Sequence, residues 1–353
     1  MRGVVFTGDR ELDLRNFPDP EPGPGEVVIE MKASGMCGSD LKLYRRSKKG
    51  GQGAAAIGFA DPGEIIAGHE PCGVVAAVGA GVTEKQARIG MRVMQHHYVG
   101  CGLCAECRAG WEQLCVEGVK KVFGVTGDGA HAKYLRCPAR TLVPLPDELS
   151  FTTGAAISCG TGTAWAALHR LGINARHTIA IFGQGPVGLS ATQLAVALGA
   201  RVVAIDVGRS RRETAKAFGA DAVIDPGATD TVAAIRELTH GLGAELALDA
   251  SSAPAARAQA VRCVRTWGKV CFVGEGGDVT LDVSSDLLRR QVTLIGSWTF
   301  SIIGQAECAR FIADRKIDVG ALFTDQWRLA QAEEAYRVFD EQTKGKGVFT
   351  NFD

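Results

Sequence analysis

The chain has 353 residues, of which 46% are hydrophobic and 22% charged, and its 39 Lys plus Arg are matched by 39 Asp plus Glu. That length favours two domains over one, with enough apolar matter for ordinary cores. The neutral balance sets up no field that would draw the chain to nucleic acid or an anionic membrane, so the expected partners are a small molecule and further copies of itself.

The opening MRGVVFTGDRELDL runs straight into a strand-like stretch, without the basic and apolar segments of a signal peptide. No segment approaches about 18 uninterrupted apolar residues, the length that reads as a membrane span. A reducing, cytoplasmic setting is expected, and it fits the 11 cysteines. The first 150 or so residues are rich in Gly and Pro, with short β-type runs at Glu26 to Met31 and Gly73 to Val78 and a turn, EPGPGE, at 21–26. They predict an irregular, mainly β domain. The basic and then small-residue stretch 45–63 reads as a solvated loop, and LVPLPDELS at 142–150 as a surface crossing into a new unit.

From about Phe151 helical and strand periods alternate: Thr153 to Leu171 helical, Thr178 to Phe182 a buried strand, Pro186 to Leu198 a helix. Arg201 to Asp206, Ala222 to Ile224, Leu246 to Asp249 and Lys269 to Val273 read as further strands, with a helix at Arg211 to Phe218. Such a β-α-β series predicts a parallel sheet with helices on both faces. Beyond about Gly296 the chain is expected to return to the first domain, with Gly347 to Phe349 as a last strand.

The stretch CGLCAECRAGWEQLC places Cys101, Cys104, Cys107 and Cys115 at spacings of two, two and seven residues. Four thiolates in one short loop predict a closed tetrahedral zinc site that stands in for the core the loop lacks. Two disulfides, an iron–sulfur cluster or four unpaired thiols are the alternatives.

Residues 178–188, TIAIFGQGPVG, place Gly183, Gly185 and Gly188 in a G-x-G-x-x-G pattern between a strand and a helix. The first glycine permits the tight turn, the second lets backbone approach a pyrophosphate, and the third lets helix and strand pack closely. Asp206 closes the next strand, 23 residues beyond Gly183, where a carboxylate accepts hydrogen bonds from the hydroxyls of an adenosine ribose. That favours NAD over NADP; the alternative is that Asp206 merely caps the following helix. Arg209, Arg211 and Arg212 follow closely, and a basic cluster there could tolerate the extra phosphate of NADP.

Potential ligands of a second metal lie elsewhere: Cys37 in GMCGSD, His69 and Glu70 in AGHEPCGVV, and Cys159 in SCGTGTAW. Singly, each has a plain reading as a buried thiol or a satisfied histidine. Two cysteines and a histidine with a fourth position open form a catalytic type of zinc site.

In the order GMCGSD, GHE, the four-cysteine loop, CGTGT and the glycine fingerprint, the chain resembles the zinc-dependent medium-chain alcohol dehydrogenases over essentially its whole length, most of all their polyol (sorbitol) and threonine dehydrogenase branches. The resemblance implies an α/β protein with a GroES-like, mainly β catalytic domain (residues 1–152 and 297–353) and a Rossmann domain with a doubly wound parallel sheet (153–296). A structural zinc lobe would occupy about 95–118. The resemblance also implies two zinc ions per chain, the catalytic one on Cys37, His69 and Cys159. Ser39 would accept the substrate proton, Asp40 would orient His69, and Glu70 would lie near the metal. Thr163 and Val187 would pack on the nicotinamide, Pro186 would belong to the glycine loop, and Arg211 and Lys346 would serve the cofactor. His97, His131 and Trp298 fall at positions that would face the substrate, with a plain packing role as the alternative for each.

Departures from the family pattern matter too. Where many relatives carry a histidine ending the proton relay, this chain has Lys42, which would shuttle protons in its place if its pKa were lowered or else serve as a solvent-facing structural residue. Gly38 follows Cys37, as in the polyol and threonine dehydrogenase branches, which leans toward a tetramer, with a dimer as the alternative. The 31 residues between Cys37 and His69 form a long interval that would overhang the cleft as a lid or stand as an inert insertion. The leading reading is a zinc- and NAD-dependent dehydrogenase of secondary alcohols or polyols. Its alternatives are an NADPH-dependent aldehyde or ketone reductase and a non-catalytic nucleotide-binding redox sensor.

Overall fold

The computed structural model describes residues 1–48, 63–341 and 345–353. Most of the long 45–63 loop therefore lies outside the described residues. The chain divides into two compact units, Met1–Cys159 with Ser301–Asp353, and Gly160–Phe300.

The first unit is built on a seven-stranded sheet. Its centre is the strand Glu26–Gly35, paired antiparallel with Pro71–Val78, Tyr134–Pro138 and Lys346–Asn351. The longer run EVVIEMKASG is almost continuously buried, because both of its faces are covered. Its register decides where the chemistry falls. Ser34 pairs with Pro71, and Gly35 pairs with Val348. Cys37, His69, Glu70 and Lys346 therefore leave one end of three neighbouring strands. The helix Ala332–Asp340 completes this end, burying Ala332, Ala335, Tyr336 and Phe339 along one stripe at helical spacing.

The second unit is a six-stranded parallel sheet. Numbered along the chain, its strands lie in the spatial order third, second, first, fourth, fifth, sixth, the doubly wound arrangement of dinucleotide-binding domains. The apolar run TIAIF at Thr178–Phe182 is the middle strand, covered on both faces. Pro at the first turn of Pro186–Ala197 is tolerated because the N–H it lacks would have no partner within the helix.

The stretch predicted as one helix from Thr153 to Leu171 is interrupted. Phe151–Ala156 and Gly162–Leu171 are α-helical, and Ile157–Thr161 between them is a π-helical turn carrying Cys159. Ser150 caps its start by accepting from the Thr153 amide at 3.1 Å. Such single-turn widenings re-aim a side chain locally and recur at functional sites.

Candidate active site

The four cysteines of the 101–115 loop converge. All four sulfurs lie within 4.8 Å of one another, Cys101 and Cys107 at 4.0 Å. Four thiolates at about 2.3 Å around a tetrahedral centre stand about 3.8 Å apart, so the sulfurs enclose room for one ion and not for a cluster. All 11 cysteines are free thiols, which removes the two-disulfide alternative. Backbone amides support the set: Cys115 Sγ accepts from Cys101 N at 3.2 Å, and Cys101 Sγ accepts from Leu103 N at 3.4 Å and Cys104 N at 3.3 Å. Amide donation, chiefly from Cys107, lowers the Cys104 thiol to about 6, whereas burial pushes Cys107 up to about 12. Glu112 braces the loop from below: its buried carboxylate accepts from the Gly100 amide at 2.6 Å and pairs with Arg140.

Cys37, His69, Glu70 and Cys159 form the second convergence, again within 4.8 Å. Cys37 and Cys159 sulfurs are 3.8 Å apart, the separation two thiolates take on a shared tetrahedral ion. The Ser39 hydroxyl donates to Cys37 Sγ at 3.3 Å and lies 3.1 Å from His69 Nε2. Cys37, Ser39 and Cys159 keep partial exposure, while Asp40, His69 and Glu70 are buried. The cluster thus has one open side and one sealed side. On the sealed side Asp40 Oδ1 stands 2.8 Å from His69 Nδ1, and Asp40 Oδ2 accepts from the Cys37 amide at 2.8 Å.

The thiols and the imidazole are strongly coupled. The hydrogen bond from Cys159 holds the Cys37 thiol well below the ordinary range against its burial, and the same bond together with burial pushes Cys159 well above it. Burial opposes protonation of His69, but the Asp40 carboxylate and Cys37 outweigh it and raise its pKa well above the usual imidazole value. A donor set of two closely spaced sulfurs and a carboxylate-oriented imidazole fits zinc.

The surroundings of the other candidate residues differ. Lys346, expected at the cofactor, is 1% exposed and ion-paired with Glu70 in the first unit. A buried ammonium needs such a partner, and Glu70, 0% exposed, needs one as well. Burial lifts the Glu70 carboxyl to about 8 against the opposing pull of Lys346. His131, expected to face the substrate, is wholly buried between Ser34 and Tyr336. His97 is buried too, with Nδ1 3.1 Å from the Ser158 carbonyl and its ring 5.2 Å from that of His69. Trp298 is 36% exposed. Lys42 sits half-buried in the last turn of the short helix Asp40–Tyr44. Tyr336, which touches Asp40, was missed by sequence reasoning; its place on the buried stripe of Ala332–Asp340 read only as core.

In the second unit the glycine fingerprint forms the turn between strand and helix. Gly183 has φ +85°, and a Cβ at Gly188 would lie 1.8 Å from the Gly183 carbonyl oxygen, so neither position admits a side chain. A Cβ at Gly185 would meet nothing within 4 Å, which leaves that backbone approachable. Gly183, Gly185, Pro186 and Val187 are half-exposed, while Gly188 and Thr163 are buried. Asp206 ties this turn to the next element: Oδ2 accepts from the Gln184 amide at 2.6 Å and Oδ1 from the Gly208 amide at 2.7 Å. Arg211 Nη1 stands 3.9 Å from the same carboxylate. Arg212 is held by Asp225 at 2.8 Å and by the carbonyls of Asp206 and Val207, and Arg209 pairs with Glu213.

Comparison with known proteins agrees with both halves. Residues 23–147 match the alcohol dehydrogenase GroES-like domain, and residues 186–314 match the zinc-binding dehydrogenase family. The chain is 38% identical to an uncharacterized zinc-type alcohol dehydrogenase-like protein, YphC, of Escherichia coli K12, over 100% of this chain and 99% of that one. It is 31% identical to sorbitol dehydrogenase of Bacillus subtilis, over 95% and 92% of the two chains. Acetophenone reductase of Geotrichum candidum, solved in complex with NAD, superposes with a TM-score of 0.84 at 30% identity, covering 100% of this chain and 97% of that one. The chain belongs to the zinc-dependent medium-chain alcohol dehydrogenase family. Its fold is the GroES-like, mainly β unit joined to a Rossmann unit that the motifs implied.

Proposed function

We propose that this protein is a dehydrogenase that moves hydride between the carbinol carbon of a secondary alcohol or polyol and NAD, with two zinc ions per chain. The convergence of Cys37, Cys159 and His69 with the Ser39 hydroxyl 3.1 Å from His69 Nε2 carries this reading. Zinc on Cys37, His69 and Cys159 would supply Lewis acidity toward an alcohol or carbonyl oxygen.

The chain's own residues do the rest. Ser39 Oγ, on the open side, would take the proton of the alcohol while passing its own hydroxyl proton on to the cofactor ribose and solvent, with the reverse in reduction. Asp40 holds the His69 ring by Nδ1, which leaves Nε2 as the ligand atom. Lys346 neutralises Glu70 behind the cluster, so that the carboxylate does not add a second uncompensated charge beside two thiols. The turn at Gly183, Gly185, Pro186, Val187 and Gly188 would hold the pyrophosphate of a dinucleotide, with Thr163 and Val187 packing on its nicotinamide and Arg211 serving its adenosine end. The four-cysteine site holds the second zinc for structure alone, since four thiolates leave no position for substrate.

The family likeness to a sorbitol dehydrogenase and to a reductase of acetophenone supports a secondary carbinol as the reacting centre. Turnover with secondary alcohols and polyols, set against primary alcohols, sugars and amino alcohols with both cofactors, tests this. Faster turnover of primary alcohols than of every secondary alcohol and polyol overturns it. A homotetramer in a reducing, cytoplasmic compartment completes the proposal, and sedimentation of the purified protein measures the first part.

NAD is proposed over NADP because Asp206 places a buried carboxylate at the strand end, where it disfavours a 2′-phosphate. Asp206→Ala is expected to shift the NAD to NADP ratio of kcat/KM toward NADP by about tenfold, about 1.4 kcal/mol. An unchanged ratio would show that Asp206 serves only its bonds to the Gln184 and Gly208 amides.

A further inference from the structure

Behind His69 runs a line of buried polar side chains that hydride transfer does not itself use. Ser34 Oγ lies 2.7 Å from His131 Nδ1, and His131 Nε2 lies 2.7 Å from the Tyr336 hydroxyl. The Tyr336 hydroxyl is 3.2 Å from Asp40 Oδ2, and Asp40 Oδ1 is 2.8 Å from His69 Nδ1. Ser34, Asp40, His131 and Tyr336 are each 0% exposed.

The protons on this line can be arranged in one direction. A carboxylate only accepts, so Tyr336 donates O–H to Asp40 on one side and His69 donates Nδ1–H on the other. The phenol has a single hydrogen, and its oxygen then accepts from His131 Nε2–H. That leaves His131 Nδ1 to accept from the Ser34 hydroxyl. From Ser34 to Asp40 each link is a donor facing an acceptor, the last step is the 2.8 Å approach of His69 Nδ1 to Asp40 Oδ1, and a proton on Nδ1 leaves His69 Nε2 with its lone pair beside Cys37 and Cys159. Burial, the leading influence on His131, holds its pKa down to about 4, which agrees with the single ring proton this arrangement needs.

Packing supplies a second, independent observation. Gly68, which precedes His69, has φ +90°, and a Cβ there would lie 2.4 Å from His131 Nδ1. The His131 ring therefore rests directly on the backbone that delivers His69. Phenylalanine and leucine would fill the same core space as Tyr336 and His131 without the desolvation cost of polar atoms, which here is offset by the bonds that His131 and Tyr336 make to Ser34, each other and Asp40.

We propose that Tyr336 and His131 are positioning residues for His69: acting through Asp40, they fix its tautomer and ring orientation so that Nε2 is presented as a metal ligand. This rests on reading Cys37, His69 and Cys159 as a zinc site. Outer partners of a ligating histidine change metal affinity by about 10- to 100-fold when lost.

The test is competition for zinc by EDTA on the purified holoprotein, with the two zinc pools told apart by a Cys37→Ser protein that holds only the four-cysteine pool. Tyr336→Phe keeps the ring and removes the donor to Asp40. It is expected to release the Cys37 pool at about tenfold lower EDTA, while the four-cysteine pool keeps its parent release curve. His131→Leu should act in the same direction, and His131→Gln, which can still donate N–H toward Tyr336, should restore most of the affinity. A folded Tyr336→Phe with a parent-like release curve overturns the proposal, and so does equal weakening of both pools. If Tyr336→Phe does not fold, the His131 pair decides: equal zinc release from Leu and Gln overturns it. A parent protein without zinc in the Cys37 pool sinks the underlying reading, and this inference with it. A parent pool insensitive to Tyr336→Phe sinks the inference alone.

Discussion

Two clusters of soft ligands sit in the same unit of this protein and are built in opposite ways. The four cysteines of the 101–115 loop come from one short segment and are buttressed mainly by their own backbone amides. Cys37, His69 and Cys159 come from three separate elements, and their support is side-chain to side-chain, through Asp40 and Tyr336. The first set would close an ion on all sides, whereas the second keeps Cys37, Ser39 and Cys159 partly exposed on one side. A local set can make the loop fold; a dispersed set can form only after the sheet register has brought its members together. On the proposed function, the closed site would bear on stability and the open one on chemistry.

The largest expected effect breaks the open site. Cys37→Ser should lower turnover by at least about a thousandfold, since the Lewis acid it helps hold contributes several kcal/mol to the barrier. NAD binding, read by calorimetry, should stay within about threefold of the parent, and the melting temperature within a few degrees. Retained turnover would refute the assigned role, and a large loss of stability would erase the contrast between the sites.

The converse change is Cys107→Ser in the closed site. One zinc per chain should be lost, with a destabilisation of about 3 kcal/mol, or roughly 10 °C in melting temperature. Proteolysis should begin between Cys101 and Cys115, and turnover per folded molecule should persist. A variant as stable as the parent would show that the lobe needs no metal.

The contrast also explains what could be read without the structure. The four-cysteine loop and the glycine fingerprint are local, so spacing alone carries their geometry, and the alternating apolar runs after Phe151 gave the parallel sheet. Cys159 stood out as a candidate ligand, but the π-helical turn that presents it did not, because a widened turn leaves no mark in periodicity. Tyr336 and His131 stand 205 residues apart, and nothing in either neighbourhood announces the pairing. The pairing of Lys346 with Glu70 likewise follows from the register of Lys346–Asn351 against Glu26–Gly35 and left no trace in the sequence. Side chains joined by sheet register are legible only once the register is known.

Protonation acts alike on one buried histidine behind each site. His131 lies behind the open site, near Asp40 and His69, and His96 lies beneath the closed lobe with Gln113 and Gln305. Burial lowers both to about 4 from an ordinary 6.5. The folded state keeps them neutral while the unfolded chain binds a proton first, so their contribution is intact above pH 6.5 and is lost as pH falls from 6.5 toward 4. Each accounts for about 3 kcal/mol across that window. Denaturant titrations of the parent and of His131→Gln at pH 7 and pH 4.5 should show a smaller loss in the variant. Equal losses would mean that His131 does not carry this linkage.

The smallest effect concerns the carboxylate under the closed lobe. Glu112 is to the four-cysteine loop what Asp40 is to His69, a buried acid that fixes the backbone or ring next to a ligand, but its partner differs. Arg140 keeps 37% of its side chain exposed, so solvent screens much of that pair's attraction. The Gly100 amide bond at 2.6 Å is the sheltered part, and an amide side chain at 112 can still accept from it. Glu112→Gln should therefore cost only about 1 kcal/mol, roughly 3 °C, with turnover and both zinc ions retained. Asp40→Asn, in contrast, replaces a group that must accept from Cys37 N, Tyr336 and His69 together, and an amide nitrogen cannot accept from any of them. It should weaken zinc at Cys37, His69 and Cys159 by about 10- to 100-fold. Zinc retention measured side by side in these two variants is the sharpest test, because equal losses would mean that the closed and open sites depend on their acids in the same way.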